Sequence, residues 1–220
     1  MNGRSKKIEN IGKKLVKCSI NCNGITNNPS LGVIPRCLFY EDNNRTESKG
    51  CVVVGINPGK SIMNKIERNY YIKNGISYST IYNFWIEHGN KYGYYIYLRD
   101  FIKCAGYSGP ILWTELAKCE TDKNLKFPPL QTFRICTNKY LNKELKLIPP
   151  DWPILAIGRE AHKALSYLHP KRQVIGVPHP TSSRGHFSKL FTNKKRSSFK
   201  NHIQNQLNKI RNTNEEIWLS

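Results

Sequence analysis

Acidic side chains are scarce in this chain. Its 220 residues carry 15 Asp and Glu against 35 Lys and Arg, a formal net charge of +20. A surplus of that size makes a polyanion the default partner and points to nucleic acid. Drift in an AT-rich genome enriches Lys and Asn, but it would be expected to raise Glu along with Lys, and here Glu stays low. No window approaches the roughly 18 consecutive apolar residues of a membrane span. The start, Met1-Asn-Gly-Arg-Ser-Lys-Lys7, has no apolar core of a signal peptide. The basic residues run along the whole chain, which argues against a membrane-surface role. These absences predict a cytoplasmic protein with no membrane partner. There is also no internal repeat and no linker, so residues 1–220 are expected to form one domain, and a monomer. A Gly-rich phosphate loop and an acidic metal cluster are both missing, which sets aside a nucleotide hydrolase.

Hydrophobic residues make up 39% of the chain and aromatics 11%, enough for a folded globule with a sizeable core. Seven cysteines in a cytoplasmic chain do not predict disulfides. Cys51 and Cys104 sit in apolar contexts and read as small core residues. Cys18 and Cys22 form one sequence pair, and Cys119 and Cys136 a wider one. Four thiolates can hold zinc or an iron–sulfur cluster.

The segment Cys51-Val-Val-Val-Gly-Ile-Asn-Pro-Gly-Lys60 organises the rest. Its first half is an apolar run of strand formers. Its second half is a turn that presents one polar side chain, Asn57, at the strand's carboxyl end, where ligands bind in open α/β sheets. Further apolar strands are predicted at Pro110–Lys118, Ile154–Gly158 and Gln173–Val177, with a short one at Gly32–Ile34. Helices are predicted at Ile8–Val16, Thr80–Gly89, Leu98–Gly106, Gln131–Leu147, Arg159–Leu168 and Ser197–Arg211. Within residues 1–50 the basic helix is followed by loop. The tyrosine-bearing stretch from Lys60 to Ser79 reads as a loop long enough to cover a ligand, and residues 212–220 as a frayed end. Strands alternating with helices predict a three-layer α/β/α fold around a central, mostly parallel four-stranded sheet. Parallel strands put their carboxyl ends on one edge. Asn57, the pair Thr114 and Glu115, and His179-Pro-Thr-Ser-Ser183 are therefore expected to converge.

Four segments, in order, resemble the uracil-DNA glycosylase superfamily. Gly55-Ile-Asn-Pro-Gly59 resembles the first motif of its mismatch-specific members. Trp113-Thr-Glu-Leu-Ala-Lys-Cys119 and Ile154-Leu-Ala-Ile-Gly-Arg-Glu-Ala-His-Lys-Ala-Leu165 resemble stretches of the iron–sulfur branch. Val177-Pro-His-Pro-Thr-Ser-Ser183 resembles the second active-site motif. The resemblance implies a monofunctional DNA glycosylase acting on a flipped-out pyrimidine to leave an abasic site, in repair or in antiviral defence. It makes Asn57 the residue that orients the attacking water and His179 the donor to the departing base. It places Gly55, Ile56, Thr114 and Glu115 at the base, with one of Tyr70, Tyr71 and Tyr78 stacked on it, Tyr78 being favoured because it lies just before Thr80–Trp85. It assigns DNA contacts to Lys60, Ser61, Thr181, Ser182, Ser183, Arg184 and Lys189, with Arg184 or Phe187 as the wedge. No lysine is placed as a Schiff-base nucleophile, so no lyase step is expected.

Two departures carry information. Glu115 stands where the family has a uracil-reading Asn. An ionised Glu offers only acceptors and suits an exocyclic amino group, so the expected base is a modified, bulky cytosine rather than plain uracil. The other readings are a uracil or mismatch repair glycosylase, and a non-catalytic nucleic-acid-binding protein on the same fold. The family's four cluster cysteines match Cys18, Cys22, Cys119 and Cys136 in order, with a C-x₃-C pair in place of C-x₂-C. The resemblance thus implies a [4Fe–4S] cluster, which the chemistry itself would not require.

Overall fold

The structure is a computed structural model that describes residues 3–42, 48–59, 62–181, 183–188, 201, 205 and 217–218; for 62–64 and 217 only the backbone is described. The expected roles of Lys60, Ser61, Ser182 and Lys189, and most of the expected helix 197–211, lie outside these residues.

The protein is mixed α/β with a mostly parallel sheet. Helix α1 (Gly3–Val16) leads to the short strands β1 (Ile25–Thr26) and β2 (Phe39–Glu41), then to β3 (Cys51–Gly55). Helices α2 (Ile62–Asn74), α3 (Tyr78–His88) and α4 (Gly93–Cys104) follow. Next come β4 (Ile111–Glu115), β5 (Glu120–Thr121), α5 (Leu130–Cys136), a π-helical turn at Thr137–Leu141, and α6 (Asn142–Lys146). The order closes with β6 (Ile154–Ile157), α7 (Arg159–Leu168), β7 (Val174–Val177) and β8 (Ile217–Trp218).

Four expectations are corrected. The main sheet has more than the expected four strands, because the short β2 and β8 join it. The short strand expected at Gly32–Ile34 does not form: Val33 makes only an isolated bridge with Asn28. The stretch after Lys60 is helix α2, not a covering loop. Its periodicity misleads because the buried positions are Glu67 and Tyr71, one turn apart, while Ile66 and Ile72 face outward. Part of the expected frayed end, Ile217–Trp218, is a strand.

The chain divides into two compact units, each drawn from three segments, where the sequence shows no linker. One comprises Met1–Tyr40, Gly55–His88 and Leu112–Pro149. Here α3 packs on α1 and α2, and β1 pairs antiparallel with β5 through Ile25–Thr121 and Thr26–Glu120. Its interior holds a buried ionic network. Arg36 lies between Glu67 and Glu120, each 2.8 Å away, Arg68 reaches Glu120 at 2.6 Å, and the Tyr71 hydroxyl donates to Glu67 at 2.6 Å. Buried charges persist only when paired in this way.

The other unit comprises Glu41–Val54, Gly89–Ile111 and Pro150–Ser220. Its frame is a parallel ladder in the order β3, β6, β7, β8. Val52, Val53 and Val54 stand beside Ile154, Leu155 and Ala156, which continue the register to Val174, Ile175 and Gly176. All residues of β3, β6 and β7 are buried, so a continuous apolar run, not an alternating one, encodes these strands. Helix α7 connects β6 to β7 and packs on both.

Candidate active site

In the first unit the backbone after β3 is joined to the backbone after β4. The Leu116 amide donates to Gly55 O and the Ala117 amide to Ile56 O, both at 2.9 Å. This places Asn57 beside Cys119 and Thr121. The Asn57 Nδ2 group donates to Thr121 Oγ1 at 2.8 Å, Pro58 O at 3.1 Å and Cys119 O at 3.4 Å. Two of these partners are carbonyls, which only accept, so the network fixes which way the amide is turned. Every side-chain hydrogen bond that Asn57 makes among the described residues leaves from nitrogen. Its oxygen is left as an acceptor on a half-buried side chain.

Glu115 closes against Gly55. A Cβ at position 55 would overlap Glu115 Oε2, so glycine is what lets the carboxyl approach the strand end. That oxygen has no hydrogen-bond partner among the described residues. Burial pushes the Glu115 carboxyl up to about 8, against the opposing pull of Lys118 and Arg36. The carboxylate expected from sequence is therefore not the prevailing form at neutral pH. The group is a carboxylic acid with one donor and one acceptor. Lys118 does not pair with it: its ammonium lies 2.9 Å from Glu144 Oε2 and also donates to Thr114 Oγ1.

Three base-contact assignments are corrected. The Thr114 hydroxyl donates to Glu144 at 2.6 Å, within this buried Lys118–Glu144 pair. Tyr71 is fully buried, edge-on to Tyr70 and Phe84, with its hydroxyl on Glu67. Tyr78 is buried over Gly12 of α1. Neither tyrosine offers a face to a base.

In the second unit, His179 follows β7. Its Nδ1 accepts the Thr181 backbone N–H at 3.3 Å and faces Thr181 Oγ1 at 3.4 Å, and its ring lies 5.3 Å from that of Tyr94 on α4. A ring nitrogen that accepts an amide proton carries none itself, so the proton sits on Nε2. Burial lowers His179 to about 4, so this neutral tautomer holds at pH 7. Thr181 thus orients the histidine. Ser183 Oγ accepts the Phe187 amide at 2.9 Å and caps a short turn. Arg184 is exposed in the left-handed region, φ 51°. Phe187 is buried against Tyr97 and Phe101, which corrects its assignment as a wedge.

None of the seven cysteines is in a disulfide. Cys18, Cys22, Cys119 and Cys136 fall in the first unit, within reach of one another's fields. Burial raises the Cys22 thiol, and Cys136 and Cys18 add to it; burial raises Cys119, followed by Cys136, Cys18 and Cys22. Lys139 Nζ lies 3.9 Å from Cys18 Sγ. Among the described residues, no three Cys, His, Asp or Glu side chains form a closed metal-holding group. The donor set suits a soft-metal cluster in number and type, while its spacing does not yet define one.

Sequence reasoning missed Thr121, Glu144 and Tyr94, because none lies in a motif and each acts through a contact made by folding. The chain matches no family model and no curated protein.

Proposed function

We propose that the protein is a monofunctional DNA glycosylase that hydrolyses the N-glycosidic bond of a flipped-out pyrimidine. The observation that carries this reading is the tethered amide of Asn57: its nitrogen is held by the Thr121 hydroxyl and by backbone carbonyls, and its oxygen, which accepts no hydrogen bond among the described residues, is suited to orient a water. In the reaction the N1–C1′ electron pair leaves with the base, the water oxygen bonds to C1′, and the water's proton ends on the base. Asn57 positions the water but does not take its proton, so the rate relies on stabilising the leaving group. A neutral His179 with its proton on Nε2 is suited to donate to a base carbonyl as negative charge develops there.

The neutral carboxyl of Glu115 supports a cytosine-type base better than a carboxylate would. Its C=O accepts from N4–H while its O–H donates to N3, where a carboxylate would meet a lone pair. The same acid, turned over, pairs with N3–H and O4 of uracil, so the exocyclic substituent decides between them. A [4Fe–4S] cluster on Cys18, Cys22, Cys119 and Cys136 would brace the first unit and take no part in the chemistry.

The test is a screen of DNA carrying uracil, thymine mismatches and modified cytosines, read as alkali-sensitive strand cleavage. Cleavage of at least one substrate, lowered about 10²- to 10³-fold in Asn57→Ala, is the expected result. Binding without an abasic product from any base would replace this reading with that of a non-catalytic binder.

A further inference from the structure

Among the candidates outside the proposed catalytic groups, one surface has both apolar and basic chemistry and a fixed shape. It is the loop between β5 and α5, Asp122 to Pro129, with Leu130 at the start of the helix. Leu125 is 44% exposed, Phe127 36% and Leu130 82%. Lys123 and Lys126 are exposed beside them, and Lys126 Nζ stands 5.2 Å from the centre of the Phe127 ring. The acidic residue of the loop, Asp122, turns inward to accept from Thr26 Oγ1 at 2.8 Å. The outward face is therefore cationic and apolar together.

The loop is also held at both ends. The Asp122 amide donates to Gly24 O at 3.1 Å, the Leu125 amide to Asp122 O at 3.1 Å, and Thr132 Oγ1 to Asn23 O at 2.6 Å. Gly24, at φ +69°, lies under the loop: a Cβ there would stand 2.5 Å from Pro129 Cδ and 2.7 Å from Leu125 Cδ1. A segment this constrained presents its side chains with little further ordering cost on binding. It begins one residue after Thr121, the group that holds Asn57.

We propose that this loop is a nucleic-acid contact surface, on which Phe127 and Leu130 meet bases and Lys123 and Lys126 meet phosphates of the strand that enters at Asn57. Aromatic faces beside cations are the two components of single-strand binding: stacking accepts any base, and lysines neutralise the backbone. The two exposed lysines match an anionic partner, as does the +20 charge of the chain. The proposal rests on the base-excision reading only for which strand is bound.

Equilibrium binding of a labelled single-stranded oligonucleotide tests it. Phe127→Ala weakens binding by about 5- to 150-fold, and Phe127→Trp restores it. The double variant Lys123→Gln/Lys126→Gln lowers the slope of log affinity against log salt by about 0.7 for each lysine. These side chains are exposed, and unchanged thermal unfolding of each variant confirms that the fold is kept. Wild-type affinity in Phe127→Ala, an unchanged salt slope in the lysine variant, or no oligonucleotide binding by the wild type overturns the proposal. Weakened binding in Phe127→Ala, together with no abasic product from any base in the wild type, leaves this surface standing and removes the glycosylase reading.

Discussion

Glu115 illustrates what a residue's identity does and does not convey. Its position on the β4 strand was legible; its protonation was not, because that depends on the burial created when Gly55 lets the carboxyl close on the strand end. The folded carboxyl titrates near 8 against an ordinary 4.5. The folded state therefore binds this proton more tightly than the unfolded chain. The resulting stability is fully present below about pH 4.5 and is lost as pH rises through 8. Glu115→Gln keeps the shape and has no proton to lose. Melting temperatures measured from pH 5 to 9 should fall more steeply in the wild type than in the variant. Parallel curves would mean that Glu115 is ionised in the fold, and the acceptor-only reading of the base would return. His179 has the opposite sign: its lowered value gives stability present above pH 6.5 and lost as pH falls toward 4.

At the scale of elements, β3, β4, β6 and β7 were legible because strands buried on both faces need uninterrupted apolar runs. Helix α2 was hidden because it buries Glu67 and Tyr71 in an ionic network that no hydrophobic pattern encodes. Strand β8 was hidden because two residues carry no periodicity. The proposed cluster belongs to the same scale. Cys18 follows α1, Cys22 precedes β1, Cys119 precedes β5, and Cys136 ends α5. A shared cluster would tie these four places, and binding to the folded chain alone would add to its stability. Protein prepared anaerobically with iron should be coloured and should melt higher than the iron-free chain. Cys119→Ser should lose both colour and the increment. A colourless, iron-free product from the wild type would remove the cluster and leave four thiols, of which Cys22, Cys119 and Cys136 are buried.

At the scale of the whole molecule, the charge was legible from composition, while the division into two units was not. Each unit is drawn from three separate segments, so no stretch of sequence marks a boundary. The +20 charge admits two explanations that differ in a measurable way. If it serves nucleic-acid binding, lysines and arginines displace counterions from phosphates. The affinity for duplex DNA then falls with salt by a slope of about 0.9 per phosphate neutralised. A footprint of six or more phosphates implies a loss of about 10³-fold or more between 50 and 200 mM salt. If the charge is compositional drift, the basic residues are scattered without reference to a duplex, few phosphates are met at once, and the slope stays near one or two. A titration of duplex affinity against salt separates these cases without reference to which base is excised. A shallow slope would count against the polyanion as the partner that shaped this composition, whatever activity Asn57 supports.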